Sequence, residues 1–425
     1  MPSNARSSLR NAASTVLVAL AATPFGIIGV GVGAAEMLPA MDTMPEIELV
    51  ACADLVPQTL ERFAQRYPNA KTYNSAEALC ADPNVEAVWV STPNQFHAPH
   101  AILAASRGKH VVVEKPMATS VEEAERVVEA ADKAGVKLLA GHTQSFTVPI
   151  RAMRRIIVSG ELGPMRALHI WSYSDWMLRP RTPEELEVEK GGGLVNRQTP
   201  HQIDTVRLLG GGLLRTVRGA TGQWFEPRPC PGYYSAFLEF EDGTPCTIMH
   251  NGYGYFVASE LVPWGGTKVI YTAEERVPIR KAMREGRRPE ASDKQELRIG
   301  GRRENEAFRV ERKAWVPLDL GLVVVSCERG DIRHSADGLY VYDDDGMHEV
   351  VLGNARLSVS VERRGELDEL YNAVVLGKPL FHDGRWGMAT LEACLALVQS
   401  ARERREIELH RQVPVPASYD AGSAA

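Results

Sequence analysis

The sequence lacks several features that would place it in other protein classes. Its six cysteines are scattered without CxxC spacing, which argues against a disulfide framework or a zinc site and favours the reducing cytoplasm. The formal net charge of −6 gives no reason to expect nucleic acid or an anionic membrane as partner. No apolar run is suited to span a bilayer, and no internal repeat is visible. No His, Cys and Asp cluster has ligand spacing, so we expect no metal.

A glycine-rich segment lies between an apolar strand, 25–30, and the small-residue start of a helix. A second strand, 47–53, ends at Asp54, which is at the right distance to bind ribose hydroxyls. The candidate phosphate-binding residues are Gly29, Gly31, Val32, Gly33 and Ala34. Gly29 would make the tight turn, and Gly31 would let the backbone approach a pyrophosphate at the positive end of the helix. The pattern predicts a dinucleotide site, with NAD favoured over NADP because Asp54 would repel a 2′-phosphate.

Lys115 follows a predicted strand, 110–114, at the carboxyl edge of a parallel sheet, where open α/β folds bind ligands. A desolvated ammonium loses its proton more readily than in water and can donate to a substrate oxygen. Taken alone, a surface lysine followed by a turn proline is the more ordinary explanation. The glycine motif and the flanking strand, taken together, favour a functional role for Lys115.

The hydrophobic pattern changes along the chain. Up to about Thr143 strands and helices alternate, which predicts an α/β fold with a doubly wound parallel sheet. Beyond Pro149, strands paired by hairpin turns predict an open, mainly antiparallel sheet, and they include 233–240, 246–250, 339–342 and 348–352. The charged stretch 274–313 is poor in apolar residues and is expected to be a solvated insertion or flexible lobe.

The predicted domains are a dinucleotide-binding domain at 24–145 and a substrate-binding and oligomerisation domain at 146–410. An extension at 1–23 and a tail at 411–425 flank them. Arg6 and Arg10 precede an apolar run, an order typical of a signal peptide. Cleavage would fall almost on the first strand, so a disordered or loosely packed extension, or a start codon placed too early, is favoured.

Five motifs together resemble the Gfo/Idh/MocA oxidoreductase family, and they lie at 26–31, 53–54, 91–97, 108–116 and 191–204. The resemblance implies an NAD(P)-binding Rossmann domain followed by an open sheet that carries substrate and oligomer contacts, as a homodimer or homotetramer. It implies Lys115 and His201 as the catalytic pair. It also implies cofactor-side roles for Thr92, Asn94, His97 and Glu114, with Lys115 reaching the cofactor as well.

Further segments resemble the branch of phthalate cis-dihydrodiol dehydrogenases, namely 35–40, 141–146, 179–186, 192–195 and 324–330. This resemblance implies a small-molecule substrate, a cis-dihydrodiol of an aromatic carboxylic acid, that is oxidised to a catechol. The alternative within the family is a sugar, cyclitol or glycoside dehydrogenase. A second alternative, a cofactor-binding regulator without activity, is disfavoured because both Lys115 and His201 are present.

One position departs from the family pattern. Sugar-oxidising members usually carry Asp four residues before the catalytic His, whereas this chain has Arg197. A guanidinium suits a substrate carboxylate, because its fork can bind both oxygens. The other substrate-side candidates are Arg179, Arg181, His142 and Asn196.

Each of these candidates also has a structural explanation. Arg197 could form an internal pair with a residue such as Asp204 or Glu187, and the two other arginines could pair with Glu184 and Glu185 at the surface. His201 could serve only as a hydrogen-bonding residue at the start of its helix. His97 could hold its loop, and His142 could support the fold.

Overall fold

The computed structural model describes residues 22–264, 271–302, 314–353 and 359–422. The predicted extension 1–23 therefore lies outside the described residues, apart from its last two positions. Thr23 already belongs to the first strand.

The first domain is a parallel six-stranded sheet. Its strands are β1 (Thr23–Ile28), β2 (Ile47–Ala53), β3 (Lys71–Tyr73), β4 (Ala87–Val90), β5 (His110–Glu114) and β6 (Leu138–Gly141). Its helices are α1 (Val32–Met41), α2 (Pro57–Arg66), α3 (Ala76–Ala81), α4 (His97–Ser106) and α5 (Val121–Ala134). In the order β3-β2-β1-β4-β5-β6, the chain adds strands on one side of β1 first and then on the other side. Such sheets bind ligands at the point between β1 and β4 where this switch occurs. The predicted doubly wound parallel sheet is confirmed.

Helices cover both faces of this sheet because its strands are apolar on both sides. Val111 and Val113 of β5 pack into one core with α4 and α5. Val112, between them, faces the other core, which contains Met37 of α1 and Phe63 of α2. The alternation of side chains along a strand explains this division.

The second domain has a mainly antiparallel nine-stranded sheet. Its strands are β7 (Met165–Tyr173), β8 (Leu214–Gly222), β9 (Tyr233–Phe240), β10 (Pro245–Asn251), β11 (Leu322–Cys327), β12 (Gly330–His334), β13 (Gly338–Asp343), β14 (Gly346–Val351) and β15 (Ile407–Glu408). Their order is β14-β13-β12-β11-β7-β10-β9-β8-β15, and β7 and β10 run parallel to each other. The predicted antiparallel sheet is therefore confirmed.

The remaining helices follow the first domain in the chain; some of them pack on the second sheet and others return to the first domain. They are α6 (Val148–Ser159), α7 (Gly193–Gly210), α8 (Ala273–Arg284), α9 (Glu290–Glu296), α10 (Val359–Val375), α11 (Gly384–Glu403) and α12 (Ala417–Gly422). Leu367 and Leu370 of α10 complete a core of the first domain, and Leu391 of α11 completes the other. The C-terminal helices thus fix the position of the two sheets. No helix among the described residues is long and apolar enough to cross a bilayer.

Two segments differ from the sequence prediction. The stretch expected as a solvated insertion forms α8 and α9 in its described part, while 303–313 lies outside the described residues. Its charges include the buried Arg276 and Lys294, which pair with Glu260 and Glu185. The expected tail also packs on the protein: Gln412 accepts a hydrogen bond from the buried Arg207 at 2.9 Å.

Candidate active site

The glycine loop forms the turn from β1 into α1. Gly29 has a φ of 90°, and a Cβ there would lie 2.8 Å from the carbonyl oxygen of Ser91. Gly31 is the N-cap residue of α1. No atom of the described residues lies within 4 Å of the place where a Cβ on Gly31 would stand. A Cβ on Gly33 would contact Ser91 Oγ, and Ala34 is fully buried. The first amides of α1, beginning at Val32, thus border open space, which fits a dinucleotide pyrophosphate.

Asp54 stands at the end of β2, beside this loop. Its Oδ2 accepts a hydrogen bond from the amide of Val30, and its Oδ1 accepts one from the amide of Val56, both at 2.8 Å. A carboxylate has further lone pairs available for ribose hydroxyls. The backbone hydrogen bonds therefore orient Asp54 and leave it able to bind the ribose.

Asn94 and His97 join the loops around the expected nicotinamide end of the site. Asn94 Nδ2 donates to the carbonyl of Gly191 at 2.6 Å, which connects the two domains. The ring nitrogens of His97 lie 2.7 Å from Pro116 O and 2.8 Å from Thr92 O. Burial lowers the pKa of His97, against the opposing effect of these two carbonyls. The loop-holding role left open for His97 is present in the structure.

Lys115 stands just beyond β5, and its Nζ donates to the backbone carbonyl of Arg197 at 3.2 Å. Burial lowers the pKa of Lys115 to about 8, and the positive charge of Arg197 contributes to the shift. The adjacent Glu114 accepts a hydrogen bond from Arg363 at 2.9 Å. Arg363 also pairs with Glu36 at 3.1 Å, so α10 ties the end of β5 to α1.

His201 and His142 add two imidazoles beside Lys115. His201 Nδ1 and both ring nitrogens of His142 are buried and have no hydrogen-bond partner among the described residues. Burial lowers the pKa of His201 well below its ordinary value, and the charge of Lys115 lowers it further. Burial lowers the pKa of His142 to about 4. A neutral imidazole has one donor and one acceptor nitrogen, which are the groups that hydrogen-bond to hydroxyls.

The guanidinium of Arg179 is not free to bind a substrate carboxylate, which is the role that the sequence suggested. Its guanidinium donates to both oxygens of Asp319 at 2.6 Å and to Asp175 at 3.0 Å. These pairs occupy its fork, so the substrate-carboxylate role predicted for Arg179 is not supported. Its partners are not the predicted Glu184 or Glu185.

Arg181 and Arg197 are different, because neither guanidinium has a hydrogen bond among the described residues. Each lies 3.7 Å from Glu185 Oε1, beyond hydrogen-bonding distance. The side chain of Arg181 is 9% exposed, and its guanidinium carbon lies 4.0 Å from the ring centre of Trp176. Two guanidiniums without a hydrogen bond therefore lie together at Glu185, and one of them belongs to the residue whose backbone carbonyl contacts Lys115.

Arg197 does have an internal acidic neighbour, but it is Glu185, at 3.7 Å, and neither of the two examples named from the sequence. Asp204 accepts a hydrogen bond from Trp386 Nε1 at 2.6 Å, and Glu187 pairs with Lys190 at 2.7 Å. Asn196, a predicted substrate ligand, uses its amide nitrogen to donate to the carbonyls of Val188 and Gly192. Asn196 therefore braces the segment before α7, and this nitrogen is not open to a substrate.

Sequence reasoning missed four charged residues of the site: Glu185 as a charge shared by two arginines, Lys294, Asp319 and Arg363. Glu185 was considered only as a surface partner, and Lys294 lay in the stretch assigned to solvent. No local pattern marks Asp319 or Arg363. Among the described residues, no group of His, Cys, Asp and Glu could hold a metal ion.

Comparisons with known proteins agree with this geometry. Residues 24–142 match the GFO_IDH_MocA family, "Oxidoreductase family, NAD-binding Rossmann fold", and residues 150–255 match a "GFO/IDH/MocA C-terminal domain". The chain is 35% identical over 380 residues to 1-carboxy-3-chloro-3,4-dihydroxycyclohexa-1,5-diene dehydrogenase from Comamonas testosteroni, covering 89% of this chain and 94% of that protein.

Two further relatives extend the comparison. A protein of known crystal structure from Bordetella bronchiseptica RB50 matches this chain with a TM-score of 0.81 and 34% sequence identity. The match covers 91% of this chain and all of that one. Trans-1,2-dihydrobenzene-1,2-diol dehydrogenase from Mus musculus is 31% identical over 174 residues, or 40% of this chain and 52% of that protein. The chain therefore belongs to the Gfo/Idh/MocA family and is an oxidoreductase with an NAD-binding Rossmann domain.

Proposed function

We propose that the enzyme oxidises a cis-dihydrodiol of an aromatic carboxylic acid to a catechol, with NAD as the oxidant. The observation that carries this proposal is a pair of guanidiniums, those of Arg181 and Arg197, that make no hydrogen bonds among the described residues. Both lie 3.7 Å from Glu185, and the backbone carbonyl of Arg197 accepts a hydrogen bond from Lys115. A carboxylate gives such a pair the planar, two-oxygen partner that guanidinium forks bind. The name of the Comamonas testosteroni relative describes a carboxylated, dihydroxylated cyclohexadiene, which supports the same substrate class.

Lys115 is the proposed general base. Its pKa of about 8 makes a fraction of the side chain a neutral amine near neutral pH, able to accept the hydroxyl proton. His201 and His142, both neutral, would orient the two hydroxyls through ring nitrogens that have no partner among the described residues. Bound NAD supplies the acceptor for the hydrogen that leaves the carbon with its electron pair. The ketone so formed tautomerises to the aromatic diol, which makes the oxidation effectively irreversible.

The reaction can be tested with three substrates that differ in one property each. NADH formation would be measured with a cis-dihydrodiol that carries a ring carboxylate, with the same dihydrodiol without the carboxylate, and with a cyclitol. We expect kcat/KM to be at least about 100-fold higher for the acid than for its neutral analogue, since losing a charged pair costs several kcal/mol. A higher kcat/KM for the cyclitol would favour a sugar or cyclitol dehydrogenase instead. Binding of NADH without turnover of any of them would favour a regulator.

We further propose that the outer face of the nine-stranded sheet is the surface of a homodimer or homotetramer. Trp171 and Phe237 are large apolar side chains on this sheet, and they are 52% and 41% exposed. Met249, the strand neighbour of Trp171, lines the same shallow surface. Exposed apolar patches of this kind mark interaction surfaces. Light scattering should give an oligomer mass, and Phe237→Glu should reduce it; a monomeric parent would contradict the assignment.

The proposed compartment is the cytoplasm. All six cysteines are free and buried, and burial raises the pKa of several thiols, such as Cys52 to about 12. Buried neutral thiols are compatible with a reducing compartment. Microscopy of the full-length chain fused to a fluorescent protein would test this, and a signal outside the cytoplasm would contradict it.

A further inference from the structure

One carboxylate, Glu185, is shared by three cations near the active site. Its Oε1 accepts a hydrogen bond from Lys294 Nζ at 2.8 Å, and its Oε2 accepts one from the amide of Thr182, also at 2.8 Å. Arg181 and Arg197 each lie 3.7 Å from the same Oε1. Both oxygens are thus hydrogen-bonded elsewhere, while the two guanidiniums receive only a longer-range attraction.

The position of Lys294 is fixed by its helix, α9. Lys294 is only 8% exposed, and it lies one turn after Glu290 on the same side of α9. Glu290 accepts hydrogen bonds from the amide of Arg181 and from Arg228, both at 2.9 Å. The two side chains of α9 therefore clamp the segment that carries Arg181 and Glu185.

The charges around this clamp leave a positive excess at the arginines. Arg179 is satisfied by Asp175 and Asp319, and Arg228 is paired with Glu290. Among the residues that the structure describes, Glu185 is the one carboxylate within 4 Å of the cationic groups of Arg181, Arg197 and Lys294. Leaving buried charges without a partner is unfavourable, so an incoming anion would be stabilised here.

We propose that Lys294 is a positioning residue for substrate specificity, because it holds the Glu185 carboxylate out of hydrogen-bonding reach of Arg181 and Arg197 and keeps both guanidiniums open for an anionic substrate group. This inference rests on the proposed acidic substrate and adds a residue that acts through Glu185. Without Lys294, a side-chain rotation would let Glu185 form hydrogen-bonded pairs with the arginines. Glu185 would then compete with the substrate.

The test measures binding of two aromatic acids, phthalate and benzoate, by calorimetry on enzyme saturated with NADH. Lys294→Met should weaken their binding by about 10- to 100-fold, the usual range of coupling between sites. The double variant Lys294→Met/Glu185→Gln should restore binding to within a few-fold of the parent, because the competing charge is gone. In steady-state assays Lys294→Met should raise KM for the acidic dihydrodiol and leave kcat nearly unchanged.

Two controls separate positioning from simple structural support. Lys190→Met removes a similar but exposed lysine from its pair with Glu187 and should leave acid binding unchanged. Benzamide, a neutral ring, should bind parent and Lys294→Met alike. If Lys294→Met does not fold, Glu185→Gln alone decides: tighter phthalate binding supports the inference, and unchanged or weaker binding overturns it.

The inference and the proposed reaction can fail separately. Unchanged phthalate affinity in Lys294→Met, or no recovery in the double variant, would overturn the role of Lys294 even if the dihydrodiol acid is oxidised. The expected binding pattern without turnover of any dihydrodiol would leave the role of Lys294 intact and refute the proposed reaction. A parent enzyme that binds neither phthalate nor benzoate would refute the anion site itself.

Discussion

The Nζ of Lys115 lies 3.2 Å from the backbone carbonyl oxygen of Arg197, and the side chain of Arg197 is, after burial, the main cause of the low pKa of Lys115. Sugar-oxidising relatives usually carry an acid at the position of Arg197. A carboxylate there would stabilise the ammonium, whereas an arginine stabilises the free amine. The arginine at this position therefore affects both the charge of the substrate that the site favours and the protonation state of Lys115.

This relationship predicts a pH profile. The parent kcat/KM should rise with pH, with a midpoint at about 8, as Lys115 loses its proton, and should level off above it. Arg197→Met removes a positive charge, which favours the ammonium, so the midpoint should move to higher pH. The profile would be measured with the neutral dihydrodiol from about pH 6 to about pH 10. Arg197→Lys, which keeps the charge, should retain the parent midpoint; an unmoved midpoint in Arg197→Met would rule out this coupling.

Lys115→Ala should lower turnover by about two to four orders of magnitude, the usual effect of losing a general base. NADH should still bind, because the glycine loop and Asp54 are unchanged and make their own backbone contacts. Steady-state assays and a fluorescence titration with NADH would measure the two effects. If Lys115→Ala turns over like the parent, Lys115 has a structural role and the mechanism is wrong.

The first domain was predictable because its signals are local. Strand 110–114 is an apolar run buried on both faces, and its predicted limits match β5. Gly135 ends α5 with a left-handed conformation, as expected for a helix C-terminus. Ser120 followed three residues later by Glu123 is a pattern typical of a capping box, and half of it is present. Ser120 Oγ accepts from the amide of Glu123, but Glu123 accepts from the amide of Thr119 instead of that of Ser120.

Arg181 and Glu185, four residues apart, could be named as an ion pair from the sequence. The other charge pairs considered next were not predictable, because they join residues far apart in sequence. Arg179 and Asp319 are separated by 140 positions, and Glu185 and Lys294 by 109. A sequence segment with many charged residues predicts solvent exposure, because the opposite charges that pair with it are distant in the chain and only the fold brings them close. For this reason the stretch containing Lys294 was assigned to solvent. For the same reason, the sequence could not show that the guanidinium of Arg179 is occupied by hydrogen bonds whereas that of Arg197 is not.

Gly29→Ala should impair both stability and cofactor binding. Its positive φ would strain an alanine by about 1–3 kcal/mol, and the new Cβ would press on the backbone of Ser91. We expect a lower Tm and NADH affinity reduced by more than roughly tenfold, because 1.4 kcal/mol corresponds to a factor of ten. Gly108→Ala is a matched control: its φ of 73° carries similar strain, but no atom of the described residues lies within 4 Å of the new Cβ. It should lower Tm modestly and leave NADH affinity unchanged.

Asp54 should make the enzyme prefer NAD, with a higher kcat/KM than for NADP, because its carboxylate accepts from a ribose hydroxyl and repels a 2′-phosphate. Leu55, the next residue, is 84% exposed and offers no positive charge. Asp54→Ser combined with Leu55→Arg removes the repulsion, keeps a side-chain acceptor for the nearby amides and adds a phosphate partner. The ratio of kcat/KM for NADP over NAD should then rise by at least roughly tenfold, since a unit charge at about 4 Å is worth more than 1 kcal/mol near a protein surface. Leu55→Arg alone should give a smaller rise, because Asp54 would pair with the new guanidinium. A parent enzyme with a higher kcat/KM for NADP would overturn the assignment of Asp54, whatever the variants do.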